Sequence, residues 1–200
     1  MIVKQISVGK MANFVYLAVE EGSREAMVVD SGWEIGPIEA AVRNTGAKVK
    51  FAVAIHEHLD HVSPISELAS KLGAKIVAHE NSPIECDRRV RDGEELKLGR
   101  KSVKVLFTPG HTEDSICLYD GKEVFTGDTL FVGTIGRFEN ERAKAMYTSL
   151  HEVILKLPPL TVMYPGHDYG DVPWRTLGEE RAADPFLMTR DLRSSLSLFS

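Results

Sequence analysis

Ala54-Ile55-His56-Glu57-His58-Leu59-Asp60-His61-Val62-Ser63-Pro64 sets three histidines and two carboxylates into six consecutive positions directly after an apolar run. A polar loop closing a strand accounts for one histidine there, not for three. Residues 49–55 are short and apolar, as a buried strand is. In extended backbone His56 and His58, two apart, point to the same side, so both imidazoles can face one ion. Asp60 and His61 lie beyond, where the chain turns toward Ser63-Pro64, and can address a second position. Imidazoles and carboxylates crowded together are costly to bury without pairing. The pattern therefore points to a bound cation.

Three more candidate strands end in the same manner. Residues 103–107 run into Thr108-Pro109-Gly110-His111, 124–126 into Gly127-Asp128, and 160–164 into Pro165-Gly166-His167. In two of them Pro-Gly forces a turn that lifts the histidine out of the strand. If these strands share a direction, their ends share an edge and seven groups converge: His56, His58, Asp60, His61, His111, Asp128 and His167. Five imidazoles and two carboxylates suit zinc or iron, and manganese accepts the same donors. His79 follows a strand without the Pro-Gly lift, and His151 sits beside an apolar helical stripe; both are read as structural or surface residues.

The rest of the chain supplies the frame. Residues 2–8, 13–19 and 26–30 are strand-like and are broken by Gly9-Lys10 and Glu21-Gly22-Ser23, which suggests an antiparallel meander. Ile35, Ile38 and Val42 recur at helical spacing before Gly46. Ser63-Pro64 reads as a cap followed by proline at the first helical position, with Ile65, Leu68, Ala69 and Leu72 on one face and Gly73 as the stop. A second meander follows, with Asp120-Gly121 as a hairpin turn. Ala143, Met146, Tyr147, Leu150, Val153, Ile154 and Leu157 form a core-facing stripe that ends at Pro158-Pro159. Meander then helix, twice over, suggests two similar halves. Two sheets face to face with helices outside bury both patterns, giving an α+β, four-layer sandwich in one domain over residues 1–200.

Composition removes several function classes. A net charge of −5 over 200 residues argues against nucleic-acid binding, which needs a basic surface. No apolar run reaches the length of a membrane span, and the N-terminal strand pattern lacks the features of a signal peptide. Cys86 and Cys117 are too few for a disulfide framework, so a reducing, cytoplasmic setting is expected. Leu192, Leu196, Leu198 and Phe199 could pack on the chain's own core or on a second copy in a homodimer.

His56-Glu57-His58-Leu59-Asp60-His61, Thr108-Pro109-Gly110-His111-Thr112, Gly127-Asp128-Thr129-Leu130 and Pro165-Gly166-His167-Asp168-Tyr169 together resemble the metallo-β-lactamase fold superfamily. Within it the segments look most like the glyoxalase II (hydroxyacylglutathione hydrolase) branch and the neighbouring persulfide dioxygenases. The resemblance covers most of residues 1–187. It implies an αββα sandwich with a site at one edge of the two sheets. One metal would be held by His56, His58 and His111, a second by Asp60, His61 and His167, with Asp128 bridging. Arg137 and Tyr169 match glutathione contacts and are the expected substrate-binding residues. The loop at 133–139 lacks the family's usual cysteine, Ser63-Pro64 replaces a common glycine pair, and Asp114-Ser115 replaces a glycine-containing step.

The leading expectation from this resemblance is thioester hydrolysis with two divalent transition-metal ions, zinc or iron. Such an ion lowers the pKa of bound water to about 7; Asp60 and Asp128 are the carboxylates assigned to catalysis, with Asp128 orienting the hydroxide. A thiol leaving group, with a pKa near 8.5, departs without a strong general acid. The runner-up is a mononuclear iron persulfide dioxygenase with the metal on His56, His111 and Asp128. The substrate in either case is a small thioester or thiol conjugate.

Overall fold

The computed structural model describes residues 1–196 and 198; Phe199 and the side chain of Leu196, both in the apolar C-terminal group, lie outside the description. The first sheet holds β1 (Ile2–Val8), β2 (Asn13–Val19), β3 (Glu25–Val29), β4 (Lys48–Val53), β5 (Lys75–His79) and β6 (Arg88–Val90), adjacent in chain order. The first three form the expected antiparallel meander, and β3 to β6 are parallel. Parallel neighbours need crossovers. Here α1 (Gly36–Thr45) supplies one, and the single turn α2 (Leu59–Val62) with α3 (Ile65–Leu72) supplies the next.

The second sheet repeats the plan. β7 (Glu95–Leu98), β8 (Lys101–Phe107), β9 (Ile116–Tyr119) and β10 (Glu123–Gly127) form an antiparallel meander. β11 (Val162–Pro165) lies parallel to β10, after a helical crossover that begins with α4 (Ala143–Thr148). β12 (Arg175–Thr176) closes the edge ahead of α5 (Leu177–Ala183), and α6 (Leu192–Leu196) follows.

The two sheets pack face to face. Tyr16, Met27, Val53 and Val77 from one meet Leu96, Val103, Leu118 and Phe125 from the other, all nearly free of solvent contact. Each such residue removed from water contributes about 1.5–3 kcal/mol, so this layer dominates the core. The outer faces carry helices: Ile38 and Leu68 cover the first sheet, and Met146, Leu150 and Ile154 cover the second. The αββα sandwich is the architecture observed.

Some local expectations differ. No side chain caps α3: Pro64 occupies the N-cap with φ −97°, while Ser63 ends the preceding turn by donating its amide to Leu59 O. The stripe at 143–157 is α-helical only to Thr148; a π turn at Ser149–Val153 and a 3₁₀ turn at Ile154–Lys156 follow. The last long strand starts at Val162, and Leu160 is 86% exposed. β6 and β7 have no counterpart in the sequence reading.

Candidate metal centre

Strand direction creates the site. β3 and β4 run alike in the first sheet; β8, β10 and β11 run alike in the second, because two antiparallel steps separate β8 from β10. The segments that follow them deliver all seven expected side chains to one edge of the sandwich. His56, His61, Asp128 and His167 are buried, Asp60 and His111 half-buried, and His58 exposed. A cavity of about 410 Å³ opens over them, walled by Met11, Phe131, Arg137 and Tyr169.

The donors fall into two groups. His56, His58, His111 and Asp128 form one, and Asp60, His61 and His167 the other, each with its donor atoms within 4.8 Å. Asp128 stands between them: its Oδ2 is 3.5 Å from His111 Nε2 and 3.4 Å from His167 Nε2, and its Oδ1 is 3.3 Å from His61 Nε2.

Hydrogen bonds on the far side of each ring fix which nitrogen faces inward. His111 Nδ1 lies 2.7 Å from Arg137 O, and His167 Nδ1 lies 2.9 Å from Met11 O. A carbonyl only accepts, so both Nδ1 atoms carry a proton, and each Nε2 is left to take a metal or a second proton. His61 Nδ1 donates to the Asp30 carboxylate at 2.8 Å, leaving its Nε2 in the same condition. Yet His61 Nε2 and His167 Nε2 meet at 3.0 Å, and His111 Nε2 meets His58 Nδ1 at 2.9 Å. The first contact needs a proton or a metal between the two Nε2 atoms, since both far-side nitrogens are already protonated; the second is met by an N–H on His58 Nδ1 or by a shared metal. His56 Nε2 and Asp128 Oδ1 are also buried without a hydrogen-bond partner, a condition worth about 1–3 kcal/mol of instability per group. The residues fit a transition metal: nitrogen and oxygen donors, no thiolate, and proton-bearing far sides already committed to acceptors.

Burial and charge pull the titrations in different directions. Burial pushes His56 and His111 down. It also lowers His61, but Asp128 and Asp30 outweigh it and raise the imidazole overall. His167 behaves likewise: burial lowers it, and hydrogen bonds to Asp128 and Asp60 lift it to about 10. Burial opposes ionisation of Asp60 and Asp128 as well. Hydrogen bonds from His167 and Asn13 hold Asp60 far below the usual carboxylate range, and the charge of His61 with the His167 hydrogen bond does the same for Asp128. The cluster thus binds a proton or a metal at the same atoms.

Three supporting groups escape the sequence reading. Asp30 ends β3 in a left-handed conformation, φ 61°, and its Oδ1 accepts the Ile55 amide at 3.1 Å while Oδ2 orients His61. Asn13 donates to Asp60 Oδ2 at 2.9 Å, and the Met11 carbonyl orients His167. The only local signal for Asp30 is a polar residue closing an apolar strand. Arg137 and Tyr169 lie in the cavity wall, and Tyr169 stacks on His167 at 4.7 Å. His79 stacks on Phe107 and His151 on Tyr147, both outside the cluster.

Two glycines admit the close approach. A Cβ at Gly136 would overlap the Asp128 carbonyl, and one at Gly166 would overlap Asp128 Oδ1. Ser149 Oγ, in the π turn, donates to Pro109 O at 2.7 Å and braces the turn that carries His111.

Residues 80–167 match the family model of the metallo-beta-lactamase superfamily. The chain is 35% identical over 180 residues to the mitochondrial persulfide dioxygenase ETHE1 of Homo sapiens, covering 87% of this chain and 71% of that protein. It is 41% identical over 137 residues to a hydroxyacylglutathione hydrolase of Brucella anthropi, covering 66% of this chain and 52% of that one. Among solved structures, ETHE1 from Myxococcus xanthus superposes with a TM-score of 0.90 at 30% identity, over 99% of this chain and 89% of that one. The chain belongs to the metallo-beta-lactamase superfamily, and its His/Asp cluster could hold a metal ion. Among the described residues no helix is long and apolar enough to cross a membrane.

Proposed function

We propose that this member of the superfamily is a persulfide dioxygenase that uses one iron ion held by His56, His111 and Asp128. The observation that carries the reading is the extent of each match. The human persulfide dioxygenase is paralleled over 71% of its length, the hydroxyacylglutathione hydrolase over about half, 52%. This reverses the preference drawn from motifs alone, which had favoured thioester hydrolysis. Two histidines and one carboxylate with open positions are the donor set of non-haem iron oxygenases, and when bound the iron supplies the one-electron chemistry by which dioxygen reacts with sulfur.

The chain's own residues prepare the reaction. Arg137 O orients His111, and Asp30 orients His61, which backs Asp128. His167 holds Asp60 and Asp128 ionised, so neither competes for a substrate proton. Arg137 has no ion-pair partner among the described residues and lines the cavity beside Tyr169. Its guanidinium suits a carboxylate on an anionic thiol-derived substrate. Phe131 and Met11 supply the apolar wall.

A second reading, two-metal thioester hydrolysis, draws on one specific observation: Asp60, His61 and His167 form a donor group as complete as the first. One experiment separates the two. Iron- and zinc-loaded protein is assayed for oxygen uptake with glutathione persulfide and for hydrolysis of S-lactoylglutathione, alongside His167→Ala. The proposal expects iron- and persulfide-dependent oxygen uptake, with His167→Ala losing only about ten- to hundredfold as an outer-shell partner does. Thioester hydrolysis without oxygen uptake, abolished in His167→Ala together with half the bound metal, would establish the hydrolase.

A further inference from the structure

We propose that Glu180 is a positioning residue for the substrate end of the metal cavity, acting through the Gly133 amide on one loop and through Arg175 on the other. The inference rests on reading that cavity as a binding site for an anionic, thiol-derived substrate.

Glu180 is fully buried, with 0% of its surface exposed. A carboxylate is expensive to bury unless its oxygens are satisfied. An acid in the first turn of α5 suits the helix dipole, but that does not require its burial. The helix start is already secured by a capping box between Thr176 and Glu179, and the neighbouring inward position is Leu177. The oxygens of Glu180 are spent elsewhere. Oε1 accepts the Gly133 amide at 2.7 Å, and Oε2 accepts Arg175 Nη1 at 3.2 Å. Arg175 Nη2 in turn donates to Asp171 Oδ1 at 2.6 Å.

These contacts join the two segments that wall the cavity. The first runs from Phe131 to Arg137, with Gly133 at φ +80° in its bend and Phe131 N donating to Thr134 O at 2.8 Å. It supplies the Arg137 side chain to the cavity and the Arg137 carbonyl to His111. The second runs from His167 to Arg175 and supplies Tyr169. The segments meet along a seam: Phe131 lies edge to face with Tyr169 at 5.1 Å and with His167 at 5.7 Å, and a Cβ added at Gly170 would lie 2.5 Å from Val132 Cβ. Glu180 stands behind that seam and fastens both sides of it from one carboxylate. The donors on the opposite side are anchored separately, His61 by Asp30 and His167 by the Met11 carbonyl. Of the proposed iron donors His111 leans on this loop, through the Arg137 carbonyl, while the Arg137 side chain that faces the substrate rides on it entirely; loss of Glu180 should therefore move the anion-binding wall more than it weakens iron binding.

The test uses the full iron-loaded chain with Glu180→Ala and Glu180→Gln. Glutamine keeps the shape and can still accept from Gly133, but its amide nitrogen cannot accept from Arg175. Three quantities are read: KM and kcat for glutathione persulfide and for an uncharged alkyl persulfide, hydrogen–deuterium exchange over residues 129–139, and calorimetric affinity for S-methylglutathione. Expected for Glu180→Ala is a KM for the anionic substrate raised about tenfold with kcat within about threefold, because uniform binding is what is lost. KM for the uncharged substrate should hold, iron content should hold, and exchange over 129–139 should quicken. Glu180→Gln should recover part of each effect, and it carries the test if the alanine variant does not fold. Unchanged exchange and unchanged affinity for S-methylglutathione would overturn the role. So would a parallel fall of iron content and kcat for both substrates, which is what a merely structural residue produces. If the wild type consumes no oxygen with any persulfide, the dioxygenase reading fails by itself, and exchange and S-methylglutathione affinity still decide the role of Glu180.

Discussion

Gly166→Ala places one methyl group against the carboxylate that stands between the two donor groups. A Cβ there overlaps Asp128 Oδ1 and stands 2.9 Å from His61 Cε1 and 3.0 Å from Gly127 C. The backbone has little room to retreat. The Gly166 amide donates to Gly127 O at 2.9 Å, and the Phe14 amide donates to Gly166 O at 2.8 Å. The side chains must give instead, and they belong to the candidate metal cluster. Overpacking of this kind costs about 1–3 kcal/mol, and here it falls on the position of Asp128 and His61. Disturbing the partners that orient a ligand lowers metal affinity about ten- to hundredfold, and displacing a ligand itself should cost at least that. The assay is competition between the protein and a chelator of known affinity for zinc or ferrous iron, with thermal unfolding of the metal-free forms measured in parallel. Gly36→Ala is the control, because a Cβ at the start of α1 meets nothing within 4 Å. It should leave metal affinity unchanged, and any effect on stability should be confined to the start of α1, where Pro37 follows directly. A Gly166→Ala protein that binds metal as tightly as the wild type would refute the close-approach argument.

Asp30→Asn should weaken metal binding about ten- to hundredfold, since an amide cannot serve both the His61 ring and the Ile55 amide as the carboxylate does; chelator competition measures it, and wild-type affinity would discount Asp30 as an orienting group. In the metal-free protein His167 is raised from 6.5 to about 10, so it keeps its proton between those values. A metal taking the same nitrogen must expel that proton. Apparent metal affinity should therefore climb with pH across this window, whereas the folding stability drawn from the protonated ring is complete below pH 6.5 and disappears as pH rises through about 10. Calorimetric metal titrations in buffers of different ionisation enthalpy should show net proton release near neutral pH; none would contradict the cluster's electrostatics. Arg137→Ala should raise KM for an anionic persulfide more than it lowers turnover, and identical kinetics with every anionic substrate tried would remove Arg137 from the binding wall.

Much of this molecule was legible in local pattern. The meander at residues 2–30, the helical stripes around Ile38 and Leu68, and the Pro-Gly turns before His111 and His167 depend on spacings of two to four residues, which a sequence displays directly. The seven side chains that gather at one edge of the sandwich lie in segments legible for the same reason, each segment following an apolar run. What the sequence could not display is set by partners far along the chain. β6 and β7 are short and rich in charge, and they are strands only because Val90, Leu96 and Leu98 complete a core built by both sheets. Ser63-Pro64 looked like a cap, but the chain makes a full turn at Leu59–Val62 before it, which brings His61 back to Asp30, thirty-one residues away. The stripe after Ala143 underwinds at Ser149, whose hydroxyl reaches Pro109 O. Glu180 carries no local signal of burial; it is buried because α5 packs it against the Gly133 amide, forty-seven residues away. Local chemistry chose which residues can be donors. Only long-range packing chose their second partners, because the acceptor that fixes each ring or loop sits on a different strand end, and those ends meet only when the two sheets close face to face.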